Sequence, residues 1–176
     1  MKTFSHTVFD TRFGPAAIAA TARGIVRLEL PASDPDELIA ELARATGSVP
    51  ADDDGPGGER IESAVEAVGT FLAGESTVID VKPDWALVGG FSRRVLRSTM
   101  EIPYGQTRSY GEIALEAGSP RAHRAAGTAL ARNPIALVVP CHRVIRGDGD
   151  PGDYGRGAEG RRLKRALLDL EAGRLR

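Results

Sequence analysis

Five consecutive apolar residues, Ile135-Ala136-Leu137-Val138-Val139, run straight into Pro140-Cys141-His142-Arg143-Val144, and Cys141 is the only cysteine among 176 residues. An apolar run of that length, bounded by a proline, reads as a buried strand and places the thiol at a strand end. A thiol is nucleophilic only as thiolate, and a pKa of about 8.5 leaves it mostly protonated at neutral pH unless a base or a cation intervenes. His142 and Arg143 stand next in the chain for that work. On the thiol alone the commoner fate is blander: a small buried hydrophobe beside a hydrogen-bonded core histidine.

Charge divides the chain. Residues 1–88 carry 7 Lys and Arg against 15 Asp and Glu, a net of −8, whereas residues 89–176 carry 16 against 9, a net of +7. The length suits one large domain or two small ones. A basic half that also holds the cysteine has the electrostatic footprint of a polyanion-binding module, although solvated helix faces produce the same excess. One cysteine excludes an intramolecular disulfide, and three scattered histidines give no zinc pattern, so no metal is expected. The amino terminus lacks a signal-peptide apolar core and no run is long enough to span a bilayer, so the expectation is a soluble, cytoplasmic protein with no membrane partner.

Along the acidic half, alternation predicts strands over residues 3–9, 16–22 and 24–30, with a turn at Ala22-Arg23-Gly24. Helical spacing follows over 36–45, with Asp34 as its cap. Residues 49–58, rich in Asp, Gly and Pro, read as a surface loop. A second helix occupies 59–73 and ends at Gly74, residues 77–81 are a strand candidate, and 82–90 connect to the basic half. There, helices are expected over 91–100, 107–118 and 121–131, the last started by Pro120 and closed by Asn133-Pro134. Helix, glycine-containing turn, helix is the plan of a helix-turn-helix. The expected fold class is therefore an α/β amino-terminal region (residues 1–85) with a small sheet, followed by a mainly α carboxy-terminal domain (residues 86–176) containing a helix-turn-helix.

The last of these helices is unusual. Ala122, Ala125, Ala126, Gly127, Ala129 and Ala131 leave much of its surface small, which suits close packing on a neighbouring helix or entry into a groove. Arg121, Arg124 and Arg132 suit phosphate or base contact, because arginine is rarely buried unpaired.

Together these stretches carry a resemblance. Pro140-Cys141-His142-Arg143-Val144, the run Ile102-Pro103-Tyr104-Gly105-Gln106-Thr107-Arg108-Ser109-Tyr110-Gly111-Glu112-Ile113-Ala114, and Arg124, Ala125 and Gly127 with Arg132-Asn133-Pro134 resemble, in order, the motifs of the O6-alkylguanine-DNA alkyltransferases, also called methylated-DNA-protein-cysteine methyltransferases. The likeness covers about residues 91–171 well and the first 88 loosely. It implies DNA repair by direct damage reversal. The partner is double-stranded DNA bearing O6-alkylguanine, with O4-alkylthymine as a further candidate, bound in the minor groove by a monomer. The damaged base is flipped out, since its reactive substituent is inaccessible within the duplex.

The resemblance also implies roles. Cys141 takes the alkyl group irreversibly, His142 reaches the thiol through a water, and Glu171 orients the imidazole, in the logic of a Ser-His-Asp relay. Tyr110 crowds the phosphate beside the flipped nucleotide, Arg124 fills the vacated space, and Arg121 and Ala125 belong to the same DNA-contacting helix. Asn133 is a hinge, and Val144 and Tyr154 line the nucleobase pocket. No dissociable cofactor is needed. The chain departs from the family at Gly155-Arg156-Gly157-Ala158-Glu159-Gly160, about three residues longer than the family's segment before the closing helix, and at Ala136, where some relatives carry proline. Two other readings of the residues stay open at this point: a DNA-binding redox or alkylation sensor that uses Cys141 without repair, and a Cys-His hydrolase.

Overall fold

Alternation in the first thirty residues becomes a meander: β1 (Thr3–Thr11), β2 (Gly14–Thr21) and β3 (Gly24–Glu29) pair antiparallel in order. The computed structural model describes residues 3–51, 57–155 and 157–175. A fourth strand, β4 (Val49–Ala51), runs parallel to β1, giving the sheet order β3-β2-β1-β4. The sequence reads 49–58 as loop throughout; its first three residues instead gain backbone partners on β1, and residues 52–56 lie outside the described ones.

β2 is central and lined with alanine, and Ala16 to Ala20 are all buried because both faces of the sheet are covered. On one face Leu38 and Leu42 of α1 (Pro35–Thr46) pack on Ala17, Ala19, Val26 and Phe4. On the other lies α2 (Gly58–Ala73), whose buried stripe is Ile61, Ala64, Val68, Phe71 and Leu72. Each buried Ile, Leu or Phe of these layers contributes about 1.5–3 kcal/mol. Asp34 caps α1 by accepting from the Glu37 amide, and α2 ends at Gly74 in the left-handed conformation that glycine adopts without steric cost.

Residues 77–81 form no strand. Ser76 bonds Val78 through both amide and carbonyl, the Val81 amide turns back to the Ile79 carbonyl, and Val78 is exposed, so the β-branched residues have no ladder to join. Nor is Ile135–Val139 a strand. It meets β3 once, through Leu28 N–H to Pro134 O and Ala136 N–H to Leu28 O, and then Leu137 turns into the left-handed region at φ +67°. A β conformation cannot continue through such a residue.

Contacts group the chain into two units: Met1–Leu87 with Pro134–Val138, and Val88–Asn133 with Val139–Arg176. The second unit contains α3 (Gly90–Met100), β5 (Arg108–Ser109), α4 (Tyr110–Glu116), α5 (His123–Ala131), β6 (Val144–Ile145) and α6 (Gly157–Glu171). Its buried apolar residues include Val95 and Leu96 of α3, Ile113 of α4, Ala126 and Leu130 of α5, and Leu163, Leu167 and Leu170 of α6. Ser109 and Glu112 form a reciprocal capping box that starts α4. Pro120 does not start α5. It sits second in a turn closed by Ala122 N–H to Ser119 O, and the helix begins at His123, so Arg121 precedes it. The segment after Tyr154 is likewise shorter than the sequence suggests, because Gly157 to Gly160 form the first turn of α6; Arg156 lies outside the described residues.

Candidate active site

Cys141, His142 and Arg143 occupy one 3₁₀ turn between Pro140 and β6, and β6 is held parallel to β5 through Arg108↔Val144 and Ser109↔Ile145. Three residues per turn point three consecutive side chains in three directions. The thiol meets Asn133 and the Tyr154 side, whereas the imidazole and guanidinium both reach Glu171. All three are buried.

The thiol is the weakly polar member. Burial raises its pKa; the Asn133 amide, the Tyr154 phenol and the Lys164 ammonium oppose that rise without cancelling it. Asn133 Nδ2 donates to the Val139 carbonyl at 2.9 Å and to Cys141 Sγ at 3.1 Å, and so ties the end of α5 to the thiol. The Tyr154 hydroxyl is buried without a hydrogen bond of regular distance and angle. It is nonetheless close enough to the sulfur that burial and the neighbouring thiol together push its pKa well above that of an ordinary tyrosine. At neutral pH this thiol is protonated and needs a base.

A base is at hand. His142 Nε2 lies 2.7 Å from Glu171 Oε1, with both side chains buried. Glu171 also accepts from Arg143 Nε at 3.0 Å on each oxygen and from the Gly105 amide at 2.9 Å. Burial would raise the Glu171 pKa, but bonds from His142, Arg143 and Gly105 outweigh it and hold the carboxyl below the ordinary carboxylate range. An ionised acceptor fixes the imidazole with its proton on Nε2. Nδ1 is then the lone-pair nitrogen, and it is buried with no protein partner. Burial lowers the His142 pKa despite the pull of Glu171, so the ring is neutral and able to accept a proton.

Lys164 completes the cluster. Its buried ammonium donates to the Val144 carbonyl at 2.6 Å and lies 5.7 Å from the centre of the Tyr110 ring. Burial lowers its pKa to about 8, with Cys141, Asp153 and Asp150 acting in the opposite sense. The Tyr110 pKa is raised, by burial first and then by Cys141. The next wall is the loop 146–154, pinned by Gly152 N–H to Asp150 Oδ1 at 2.7 Å and by ion pairs from Arg146 and Arg161 to Asp153. Gly160 closes it: a Cβ there would stand 1.5 Å from the Tyr154 carbonyl oxygen, so only glycine lets α6 pass the backbone of Tyr154.

The structure thus brings together Cys141, His142, Glu171, Asn133, Tyr110, Val144 and Tyr154. It does not bring Arg121, Arg124 and Ala125 into that cluster; these are exposed at the start of α5 and just before it. Sequence reasoning missed Lys164, and it placed Arg143 beside the thiol although its guanidinium serves Glu171. The signal for Lys164 was present, since it sits on the Leu163, Leu167, Leu170, Glu171 face of α6, where a lysine is out of place unless partnered. Among the described residues no group of three or more His, Cys, Asp or Glu is placed to hold a metal ion, and no helix is long and apolar enough to cross a membrane.

Residues 90–173 match the model of the 6-O-methylguanine DNA methyltransferase, DNA binding domain. A Methanosarcina acetivorans methylated-DNA–protein-cysteine methyltransferase is 44% identical over 179 residues, covering 94% of this chain and 97% of the relative. The Mycolicibacterium paratuberculosis protein of the same name is 52% identical over 109 residues, and that match spans 61% of this chain and 63% of the relative, less than two thirds of its length. Among solved structures, Mycobacterium tuberculosis OGT in complex with DNA superposes with a TM-score of 0.76 at 36% identity, over 98% of this chain and 94% of that one. With a matching family model over its basic half and a 44% identical relative along nearly its whole length, this chain belongs to the methylated-DNA–protein-cysteine methyltransferase family.

Proposed function

We propose that this protein repairs alkylated duplex DNA by direct reversal, taking the alkyl group of a flipped-out O6-alkylguanine onto Cys141 in a single irreversible turnover. The observation that carries the reading is that one buried turn holds both a thiol bonded by Asn133 and an imidazole bonded by Glu171, in a chain whose relatives are methylated-DNA–protein-cysteine methyltransferases. Nδ1 of His142 accepts the thiol proton, through a bridging water as the family resemblance implies, while Glu171 stabilises the imidazolium that forms. Sulfur then attacks the alkyl carbon. An S–C bond forms as the O6–C bond breaks, the electron pair leaves on guanine, and the proton held by His142 returns to the base, which departs as ordinary guanine. The thioether has no hydrolytic exit, so each molecule acts once.

Residues 86–176 form the DNA-binding and alkyl-transfer domain in this reading and residues 1–85 the amino-terminal α/β domain, with α4, the Gly118–Ala122 turn and α5 acting as a helix-turn-helix. Arg124 and Ala125 face outward on α5, as a DNA-contacting helix requires, and Arg121 in the turn before it is placed to meet phosphate. Tyr110, Val144 and Tyr154 surround the extruded base, and Asn133 couples the end of α5 to the thiol. The redox-sensor alternative is disfavoured because oxidation-sensing thiols are exposed and of low pKa, whereas Cys141 is buried with its pKa raised. The test is intact mass after mixing with a duplex containing one O6-methylguanine. The expected result is a gain of one methylene mass on the Cys141 peptide, and an unchanged mass would refute the reading.

A further inference from the structure

We propose that Arg143 is a positioning residue for alkyl transfer: by gripping both oxygens of Glu171 it fixes the imidazole and limits how strongly that carboxylate holds the proton His142 has taken. The inference rests on the transfer reading above and assigns a role to a residue which that reading leaves idle.

The geometry is specific. Glu171 Oε1 is shared between His142 Nε2 at 2.7 Å and the Arg143 guanidinium, whose Nε and Nη2 each lie at 3.0 Å. Oε2 is shared between Arg143 Nε at 3.0 Å and the Gly105 amide at 2.9 Å. Arg143 is itself anchored by Nη1 donating to the Ile102 carbonyl at 2.7 Å and by the Tyr104 ring, 5.8 Å from its guanidinium carbon. Its side chain is 9% exposed, so the charge is little screened. A carboxylate with this many donors has no need of a proton of its own. It stays an anion, and His142 Nε2 stays a donor.

A second consequence concerns proton return. The histidine must take the thiol proton and then surrender it to the leaving base, so an imidazole paired with an uncompensated buried carboxylate would be too strong a base to let go. Arg143 compensates that carboxylate. Burial, Arg143 and Lys164 all act to lower the His142 pKa, and Glu171 alone raises it. The other titratable neighbours are Cys141 in the same turn and Tyr104, whose phenol is raised by burial and then by Glu171.

Replacing Arg143 removes a cation from beside Glu171, which raises the proton affinity of His142. The working form of the base is the neutral one, so the acid limb of the rate profile moves to higher pH and transfer at neutral pH falls. Arg143→Met should move the His142 titration midpoint, followed by NMR of the ring nitrogens, upward by about one to three pH units, the range expected for a close charge. The acid limb of transfer to free O6-methylguanine, a substrate that needs no flipping, should move with it. Arg143→Lys, which keeps the charge but not the fork, should hold the midpoint near its wild-type position while slowing transfer. An unmoved midpoint in Arg143→Met, or a shift in Arg143→Lys as large as in Arg143→Met, overturns the proposal. If the methionine variant does not fold, wild type decides together with the lysine variant, since a His142 midpoint above that of an ordinary histidine in wild type also overturns it. The ring titration needs no transfer, so failure of wild type to take a methyl group would strike the functional reading and leave this measurement to stand on its own.

Discussion

The turn at Cys141–Arg143 and the outer face at the start of α5 sit in the same unit and follow opposite rules. In the turn every polar group is buried and nearly every one is answered: Glu171 alone receives His142, Arg143 and Gly105. At α5, Arg124 and Ala125 face solvent, with Arg121 exposed just before them. A buried, mutually satisfied cluster fails abruptly when one member is removed, because the partners keep their desolvation and lose their bonds. An exposed basic face fails in steps, one phosphate contact at a time, and its losses depend on salt. On the proposed reading, burial keeps the chemistry of the turn apart from DNA contact at α5.

The sharpest way to test this contrast is Cys141→Ser, which should abolish transfer by intact mass while leaving duplex affinity nearly unchanged; transfer by the serine variant would sink the assignment. Next in size, Glu171→Gln should slow transfer by about 10²–10⁴-fold, the range of a lost acid–base contribution. It should also reshape stability against pH. The Glu171 pKa is lowered on folding, so its contribution is complete above the ordinary carboxylate pKa and lost as pH falls through the lower folded value. Acid denaturation curves of wild type and Glu171→Gln should therefore converge toward low pH, and parallel curves would show that the carboxylate carries no such linkage.

Arg124→Ala should impair transfer from duplex by roughly tenfold to a thousandfold while sparing transfer to the free base, because unpairing costs a few kcal/mol. A parallel loss on both substrates would move Arg124 from flipping to folding. The smallest effect belongs to Arg121→Ala, which should weaken binding to any duplex sequence and flatten its dependence on the logarithm of salt by about one unit. Titrations at several salt concentrations decide it, and sequence-selective loss would contradict a phosphate-only contact.

The same burial contrast explains what the sequence disclosed. Periodic elements with one solvated face were readable, including α1 with its Asp34 cap, α2 up to Gly74, and the three-strand meander. The run Ile135–Val139 was not, because five apolar residues report burial and carry no period; the left-handed turn at Leu137 has no signature in a leucine. Pro120 was misplaced because proline suits both the first turn of a helix and the second position of a tight turn, and only the Ser119–Ala122 bond distinguishes them. Cys141 and His142 were singled out by their motif and Glu171 by the likeness of the closing helix, and the fold joins His142 to Glu171. That Arg143 serves Glu171 was not legible, since residues 28 apart in the chain meet only through the packing of α6 on the turn.

The Lys164 ammonium, buried on the Val144 carbonyl, has a consequence for how this protein exchanges protons when it unfolds. Its pKa falls from 10.5 in the open chain to about 8 in the fold, so between those values the unfolded chain binds a proton that the folded one does not. Stability from this group rises with pH across that window, after a burden below pH 8 on the order of 3 kcal/mol. Cys141 runs the other way: its folded pKa is raised above 9.0, so alkali draws a proton from the unfolded thiol first and erodes stability upward from there. The two neighbours therefore answer alkali in opposite senses, so that burying an ionisable sulfur beside a buried ammonium sets a loss of stability on the alkaline side against a gain.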